Sequence, residues 1–502
     1  MSVKRTALTL TLILVLLCSG VAGLLFVDLV SAQFSQTITI NADGSVEGTD
    51  KIQRDRDVYT FTGDIGTDEG SYGIIVQKDN IVIDGAGFLL KGAGPFGYFD
   101  IISGDKPSIS GIYLEQRKNV TITNLQITGF NSGFSGVCTN IKILGNNITN
   151  NVAGIWFTPW SSYITISGNN ITDNGSYGMF FEKCSNSIFS ENNISGSYSG
   201  IQIHYYSYNN TISGNNVTKN RTTGIEFRDS WDNIVFGNDA ADNYHGIGIM
   251  GSSKNTVSGN NIINNIKYGV WLGDTSNNIF SGNNMANNDA GIWIDGASNN
   301  KFYNNNFINN TIHVYDLGIY APLMMTSPSV NIWNDNENGN YWSDYLTKHP
   351  NATEIGDSGI GDTPYVIDAN NVDNYPLMVP VDFTEPSILV LSPENKTYDE
   401  NSIPLNFTVN EDVTQITYKL DGEENVAISG NTTLSGLPNG NHSLTVYAKD
   451  EAGNTGASET VFFSVNVPET FPIVPIVVAS AVSVVIISIG LLVYFRKRKR
   501  QQ

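Results

Sequence analysis

The sequence predicts an all-β chain: a right-handed parallel β-helix followed by an Ig-like β-sandwich and a single C-terminal transmembrane helix. Three observations carry this expectation. A mark recurs about every 23 residues through the middle of the chain, the recurrence gives way near Thr384 to a different strand pattern, and an uncharged apolar run near the C-terminus abuts a basic cluster.

The recurring mark is Gly145-Asn146-Asn147, repeated at Gly168, Glu191, Gly214, Gly237, Gly259, Gly282 and Asn304 with spacings of 23, 23, 23, 23, 22, 23 and 22 residues. A second mark, Gly followed by an apolar residue, recurs at Gly154, Gly178, Gly200, Gly224, Gly246, Gly269 and Gly291. Around both marks apolar residues alternate with polar ones, as in Ile212, Val217, Ile225 and Phe227 of one unit, which is the period of a strand. Each unit therefore supplies three short strands separated by Gly/Asn bends. No unit buries its apolar face alone, but coils stacked at ~4.8 Å enclose a continuous dry interior. Asn suits the bends because it tolerates left-handed φ and passes amide hydrogen bonds from coil to coil. The Leu pattern of a leucine-rich repeat is absent. Upstream, Asn80–Gly87, Gly111–Leu114 and Asn119–Asn124 fit earlier coils, and the strands from Thr37 to Phe61 are expected to cap the open end.

The ends set location. Lys4 and Arg5 precede an apolar run from Ala7 to Val27 and a small-residue site at Val30-Ser31-Ala32, so residues 1–32 read as a signal peptide, with an uncleaved anchor as the alternative. Residues 471–495 are apolar and long enough to cross a ~30 Å hydrocarbon core. The tail 496–502 opens with Arg496-Lys497-Arg498-Lys499-Arg500, a cluster retained on the cytoplasmic side, which leaves the bulk of the chain outside as a cell-surface ectodomain. Between lie the β-helix, 33–380, and the sandwich, 384–467, whose strands carry Leu405/Phe407/Val409, Ile416/Tyr418/Leu420, Leu444/Val446 and Val461/Phe463/Val465. The sandwich reads as a spacer resembling Ig-like surface modules. A formal charge of −21 argues against a nucleic-acid partner. Only Cys138 and Cys184 lie beyond the signal, so no disulfide framework is used. Fourteen Asn-x-Ser/Thr sequons, among them Asn147, Asn170, Asn193 and Asn216, are glycan acceptors in an exported chain.

Repeats of the form Asn-x-Ile-Ser-Gly-Asn-Asn-Ile, the opening Ile52–Phe61, and the closing Gly339-Asn-Tyr-Trp-Ser-Asp-Tyr345, Gly359-Ile-Gly-Asp-Thr-Pro-Tyr365 and Asp373-Asn-Tyr-Pro-Leu377 resemble the right-handed β-helix repeat proteins grouped with NosD, a periplasmic protein tied to copper-site maturation. The resemblance spans residues 33–380 and implies the fold and export. It also suggests copper, yet soft-metal sites need converging His, Met or Cys, and His204, His245, His313, His349 and His442 are dispersed in the sequence.

In each second-mark strand the residue between the two inward ones points outward, giving a column Trp156, Phe180, Gln202, Glu226, Gly248, Trp271, Trp293. Beside it runs Thr158, Glu182, His204, Arg228, Met250, Gly273, Asp295. Exposed aromatics flanking a polar centre suit an extended sugar polymer, so Trp156, Phe180, Gln202, Trp271, Trp293 and Asp295 are the expected ligand-binding residues. Glu182, His204, Glu226 and Arg228 form the candidate catalytic cluster, since glycoside chemistry uses paired carboxylates ~5 to 9.5 Å apart, or a base beside a neutralising cation. Asp335, Asp344, Asp357 and Asp362 offer hard oxygen ligands for calcium, against the alternative of a structural cap. The leading expectation is a surface glycan-binding or envelope-structural protein without catalysis. Alternatives are a polysaccharide lyase or glycoside hydrolase acting on this face, and a copper-related accessory protein.

Overall fold

The computed structural model describes residues 37–94, 109–320, 328–468 and 473–499. The chain divides into two compact units, residues 1–381 and 382–502. The expected signal peptide lies outside the described residues.

The first unit is a parallel β-solenoid of about 11 turns. Three long sheets, of 13, 12 and 12 strands, run along it. One coil shows why. Thr211–Ser213, Asn216–Thr218 and Thr223–Arg228 each pair in parallel with the equivalent strand of the next coil. Their inward residues Ile212, Val217, Ile225 and Phe227 have no solvent exposure. The first-mark glycines bend the chain with φ near +60°, as at Gly214 (61°) and Gly259 (61°), a region open to glycine at little cost. Glu191 and Asn304 adopt the same conformation where glycine is missing.

The Asn after that glycine has a separate task. From Asn146 to Asn340 these buried side chains form one ladder, in which each amide donates to the Oδ1 of the Asn in the next coil, for example Asn238 to Asn260 and Asn260 to Asn283, both at 2.9 Å. The same amide also donates to backbone carbonyls beside the bend, Val235 and Ser258 in the case of Asn260. A second ladder runs from Asn210 through Asn233, Asn255, Asn278 and Asn300 to Asn331. Each Asn-to-Asn bond of a ladder is accepted by the next coil on the C-terminal side, so the last rung needs an acceptor.

Asp373 supplies it. Its Oδ2 accepts from Asn340 N at 2.7 Å and from Trp342 Nε1 at 2.9 Å, which ties the closing motif to the first ladder. Burial pushes this carboxyl up to about 6, against the four N–H donors that favour its charged form. Because the folded value exceeds the unfolded one, the stability from Asp373 is fully present below pH ~4 and lost as pH rises through ~6. The unfolding free energy of the wild type relative to Asp373→Asn is expected to fall by about 3 kcal/mol across that window. A difference that stays flat from pH 4 to 7 would refute this.

At the other end, the antiparallel hairpins Ile38–Ile40/Val46–Glu47 and Ile52–Asp55/Val58–Phe61 turn the first strands of two sheets back on themselves. Their short outer strands form the sheet edges.

The second unit contains two antiparallel-rich sheets around a core of Ile403, Leu405, Leu434, Leu444, Val446 and Phe463. Ser402–Val409 alternates buried and exposed residues as a half-buried strand should. A helix, Ile473–Arg498, follows. Among the described residues no helix is long and apolar enough to cross a membrane. The side chains of residues 469–481, part of the expected span, lie outside the description.

Candidate functional site

The second-mark strands lie in the 13-stranded sheet, and the register places both outward columns as the alternation predicts. Trp156, Phe180, Gln202, Glu226, Gly248, Trp271 and Trp293 are successive neighbours, as are Glu182, His204, Arg228, Met250, Gly273 and Asp295.

Exposure departs from expectation along half of this face, where Gln202, His204 and Glu226 of the polar centre are buried as well. Trp156 and Phe180 are buried, not exposed, at 6% and 8%. The reason is mutual cover: rings one coil apart stack, here with centroids 4.3 Å apart, and Tyr177 closes edge-on over Trp156 at 5.5 Å. These aromatics form a small apolar cluster of their own. Trp271 and Trp293 are half-buried, and Trp293 is sandwiched between Tyr315 at 4.2 Å and Tyr268 at 4.5 Å. Trp293 and Asp295 lie beyond the cleft described next, on the coil Ala290–Asp295.

The polar centre is a connected network. Glu226 Oε1 lies 3.0 Å from Arg228 Nη2 and 3.4 Å from His204 Nε2, while its Oε2 accepts from Gln202 Nε2 at 3.2 Å. The Oε1 of Gln202 lies 2.7 Å from His204 Nε2. Burial of Glu226 opposes its ionisation, but the hydrogen bond and charge of His204, with Arg228 and Gln202, outweigh it and hold the carboxyl below its ordinary value. Glu182 stands apart, half-buried and 3.7 Å from Lys183 Nζ. It reaches His204 in register but sits two coils from Glu226, ~9.6 Å along the axis.

Together these residues floor an open cleft of about 480 Å³. Its rims carry the exposed Tyr198, Tyr205 and Tyr244, and Trp271 closes one end. Sequence reasoning missed a third outward column: Tyr177, Ser199, Thr223, His245 and Tyr268, each immediately before the second-mark Gly. The signal was present, because that glycine interrupts simple alternation and turns the residue before it outward. His245 is the member that matters most. It stacks on Tyr268 at 4.6 Å and meets Trp271 at 5.2 Å, and burial lowers its pKa to about 4.

The four aspartates proposed for calcium do not converge. Asp335 accepts from Glu337 N and Asn338 N. Asp344 pairs with His313 at 3.3 Å and Lys348 at 3.1 Å and is held well below the usual carboxylate range by them, against the opposing effect of burial. Asp362 takes Thr353 N and Oγ1, and Asp357 is exposed. Local turn hydrogen bonds and ion pairs consume the oxygens a cation would use. The one set of three His, Cys, Asp or Glu ligand atoms within 4.8 Å of one another, among the described residues, is Asp382, Glu411 and Asp450 in the second unit.

Residues 73–267 match the family model "Periplasmic copper-binding protein (NosD)", and residues 203–341 match "Right handed beta helix region". The fold and face thus define a right-handed parallel β-helix repeat protein. Within that class this chain is a NosD-like β-helix protein. The donors do not fit copper: Cys138 and Cys184 are free and buried within the solenoid, and no His/Cys/Asp/Glu group converges in the first unit among its described residues.

Over 95 residues the chain is 36% identical to Halomucin of Haloquadratum walsbyi, a stretch that makes up 17% of this chain and 1% of that protein. Similar solved structures include the periplasmic alginate epimerase AlgG, with 17% identity, 59% of this chain and 83% of that one covered, and a TM-score of 0.42. They also include the A-module of the Azotobacter vinelandii mannuronan C-5 epimerase AlgE4, with 15% identity, 56% and 88% covered, and a TM-score of 0.43. A third is an exopolygalacturonase of Thermotoga maritima, with 10% identity, 51% and 79% covered, and a TM-score of 0.36.

Proposed function

We propose that this is a membrane-anchored cell-surface protein that binds an extracellular polysaccharide or envelope glycan along the outward face of its solenoid, without catalysis. The carrying observation is the cleft, whose tyrosine rims and Trp271 offer ring faces on both sides of the hydrogen-bonding floor built by Gln202, His204, Glu226 and Arg228. Pyranose rings present apolar faces and hydroxyl edges, and this surface complements both. The pinned state of Glu226 supports binding over turnover: a carboxylate kept ionised by three partners is a weak base and a poor proton donor at neutral pH. Anchoring is supported by the C-terminal helix, where Val482, Val484–Ile487, Ile489 and Leu491–Phe495 are exposed apolar residues directly before Arg496. An Ig-like reading of the second unit fits its two-sheet core.

A second reading, a polysaccharide lyase or glycoside hydrolase, draws on His245. Its imidazole is uncharged at neutral pH and lines the same cleft as Glu226, although burial that lowers its pKa to about 4 also weakens it as a base. Immobilised full-length protein is expected to retain polysaccharide on a glycan array and to release no reducing or unsaturated ends, and Glu226→Ala to weaken retention about tenfold or more. Turnover that disappears in His245→Ala would replace this reading with the enzymatic one.

A further inference from the structure

The bend that follows the strands flooring the cleft carries aromatic rings where other coils carry small polar residues. Coils pair there through a register column that runs from Ser162 to Ser298 and holds serine in five of its seven coils. Tyr208 and Trp231 hold the other two, and these are the coils that supply His204 and Arg228 to the cleft.

The chain also lengthens at this bend. From the second-mark glycine to the next first mark it takes 14 residues in the coils of Gly154 and Gly200, and 13 in those of Gly178, Gly224, Gly246, Gly269 and Gly291. The longer coils place Trp160 in one, and Tyr205 with Tyr206 in the other, at positive φ of 82°, 47° and 60°. Bulky side chains enter this region at a cost in stability, and such strain gathers at functional sites. Burial does not offset the cost, because Trp160 and Tyr206 are 74% and 61% exposed.

These rings continue the cleft sideways. Tyr205 lines the cleft, edge-on to His204 with centroids 5.7 Å apart. Tyr206, the next residue, meets Trp231 edge-on, also at 5.7 Å. Along the solenoid axis, by contrast, the cleft lies between the Trp156/Phe180 stack and Trp271. Tyrosine and tryptophan present flat apolar faces with polar tips, the same combination that the cleft rims offer.

From this geometry we infer that Tyr206, Tyr208 and Trp231 form a second stacking platform, which takes the further sugar units of a longer glycan as it leaves the cleft over Tyr205, parallel to the strands. The inference rests on reading the cleft as a glycan groove and adds a direction and a preference for chain length.

Full-length protein in detergent would be titrated calorimetrically with the dimer and the hexamer of a β-1,4-glucan and of oligogalacturonate. The hexamer of the sugar that binds is expected to bind about tenfold tighter or more than its dimer, and the pair Tyr206→Asn/Trp231→Ser to remove most of that difference. The thermal midpoint of this variant should equal or exceed that of the wild type, since Asn accepts left-handed backbone and serine is what neighbouring coils hold. Glu226→Ala is expected to weaken both lengths. Equal affinities for the two lengths, or a hexamer preference that survives the paired substitution, would overturn the platform, and the groove would still stand on the Glu226→Ala result. A lowered midpoint with both affinities reduced would mark the rings as structural and also overturn it. Binding of neither sugar at either length would overturn groove and platform together.

Discussion

Asn260→Leu is expected to destabilise the solenoid by about 2–4 kcal/mol, although leucine has the same branched side-chain shape. The loss comes from what the amide leaves behind. Asn238 N loses its Oδ1 acceptor, the Asn238 amide keeps only the carbonyls of Ile212 and Phe236, and the carbonyls of Val235 and Ser258 each lose a donor, Ser258 O keeping Gly237 N. Each buried polar group left alone costs about 1–3 kcal/mol. Asn193→Ala, in the exposed column of asparagines on the neighbouring strands, should cost no more than about 0.5 kcal/mol. Denaturant unfolding followed by circular dichroism separates the two, and equal midpoints would end the claim that the ladder holds the bends.

The second large effect belongs to Gly246, two residues before Gly248 in the strand His245–Met250. In Gly246→Ala the new Cβ would lie 2.6 Å from the carbonyl oxygen of Gly269, 2.6 Å from Ile262 Cγ2 and 2.9 Å from Asn265 Nδ2. The coil cannot move aside, because Ile247 and Ile249 are paired with neighbouring coils on both sides. Overpacking against backbone of this kind is expected to cost about 3–4 kcal/mol, against less than about 1 kcal/mol for Gly248→Ala, whose Cβ would meet nothing nearer than Thr223 Cγ2 at 3.3 Å. Melting curves of the two alanine variants measure the contrast directly. Similar midpoints would mean that the coil spacing is softer than its pairing indicates.

These two glycines show what the sequence made legible. The second-mark glycines were visible as a period, and the inward positions Ile212, Val217 and Ile225 are all sealed from solvent, as alternation demands. The two outward columns were also readable, because register follows from a repeat of near-constant length. Contact between side chains on the same column was not. Trp156 and Phe180 were expected to face solvent, and stacking buries them. His245 was hidden by the glycine that follows it, which breaks the two-residue period on which the columns were built. The aspartates of the closing motif illustrate another limit. Composition places acidic groups near one another, but the hydrogen bonds of each turn decide whether their oxygens are free, and Asp335, Asp344 and Asp362 spend theirs locally.

The asparagines at Asn147, Asn170, Asn193 and Asn216 head four sequons and follow one another in register on a different sheet from the cleft, with side chains hydrogen-bonded from rung to rung at 2.8–3.0 Å. Rungs ~4.8 Å apart leave too little room for a branched oligosaccharide on each, so a transferase would have to skip neighbours. Any glycosylation of this row is self-limiting in density, and it would decorate the flank of the rod while leaving the tyrosine-rimmed face bare.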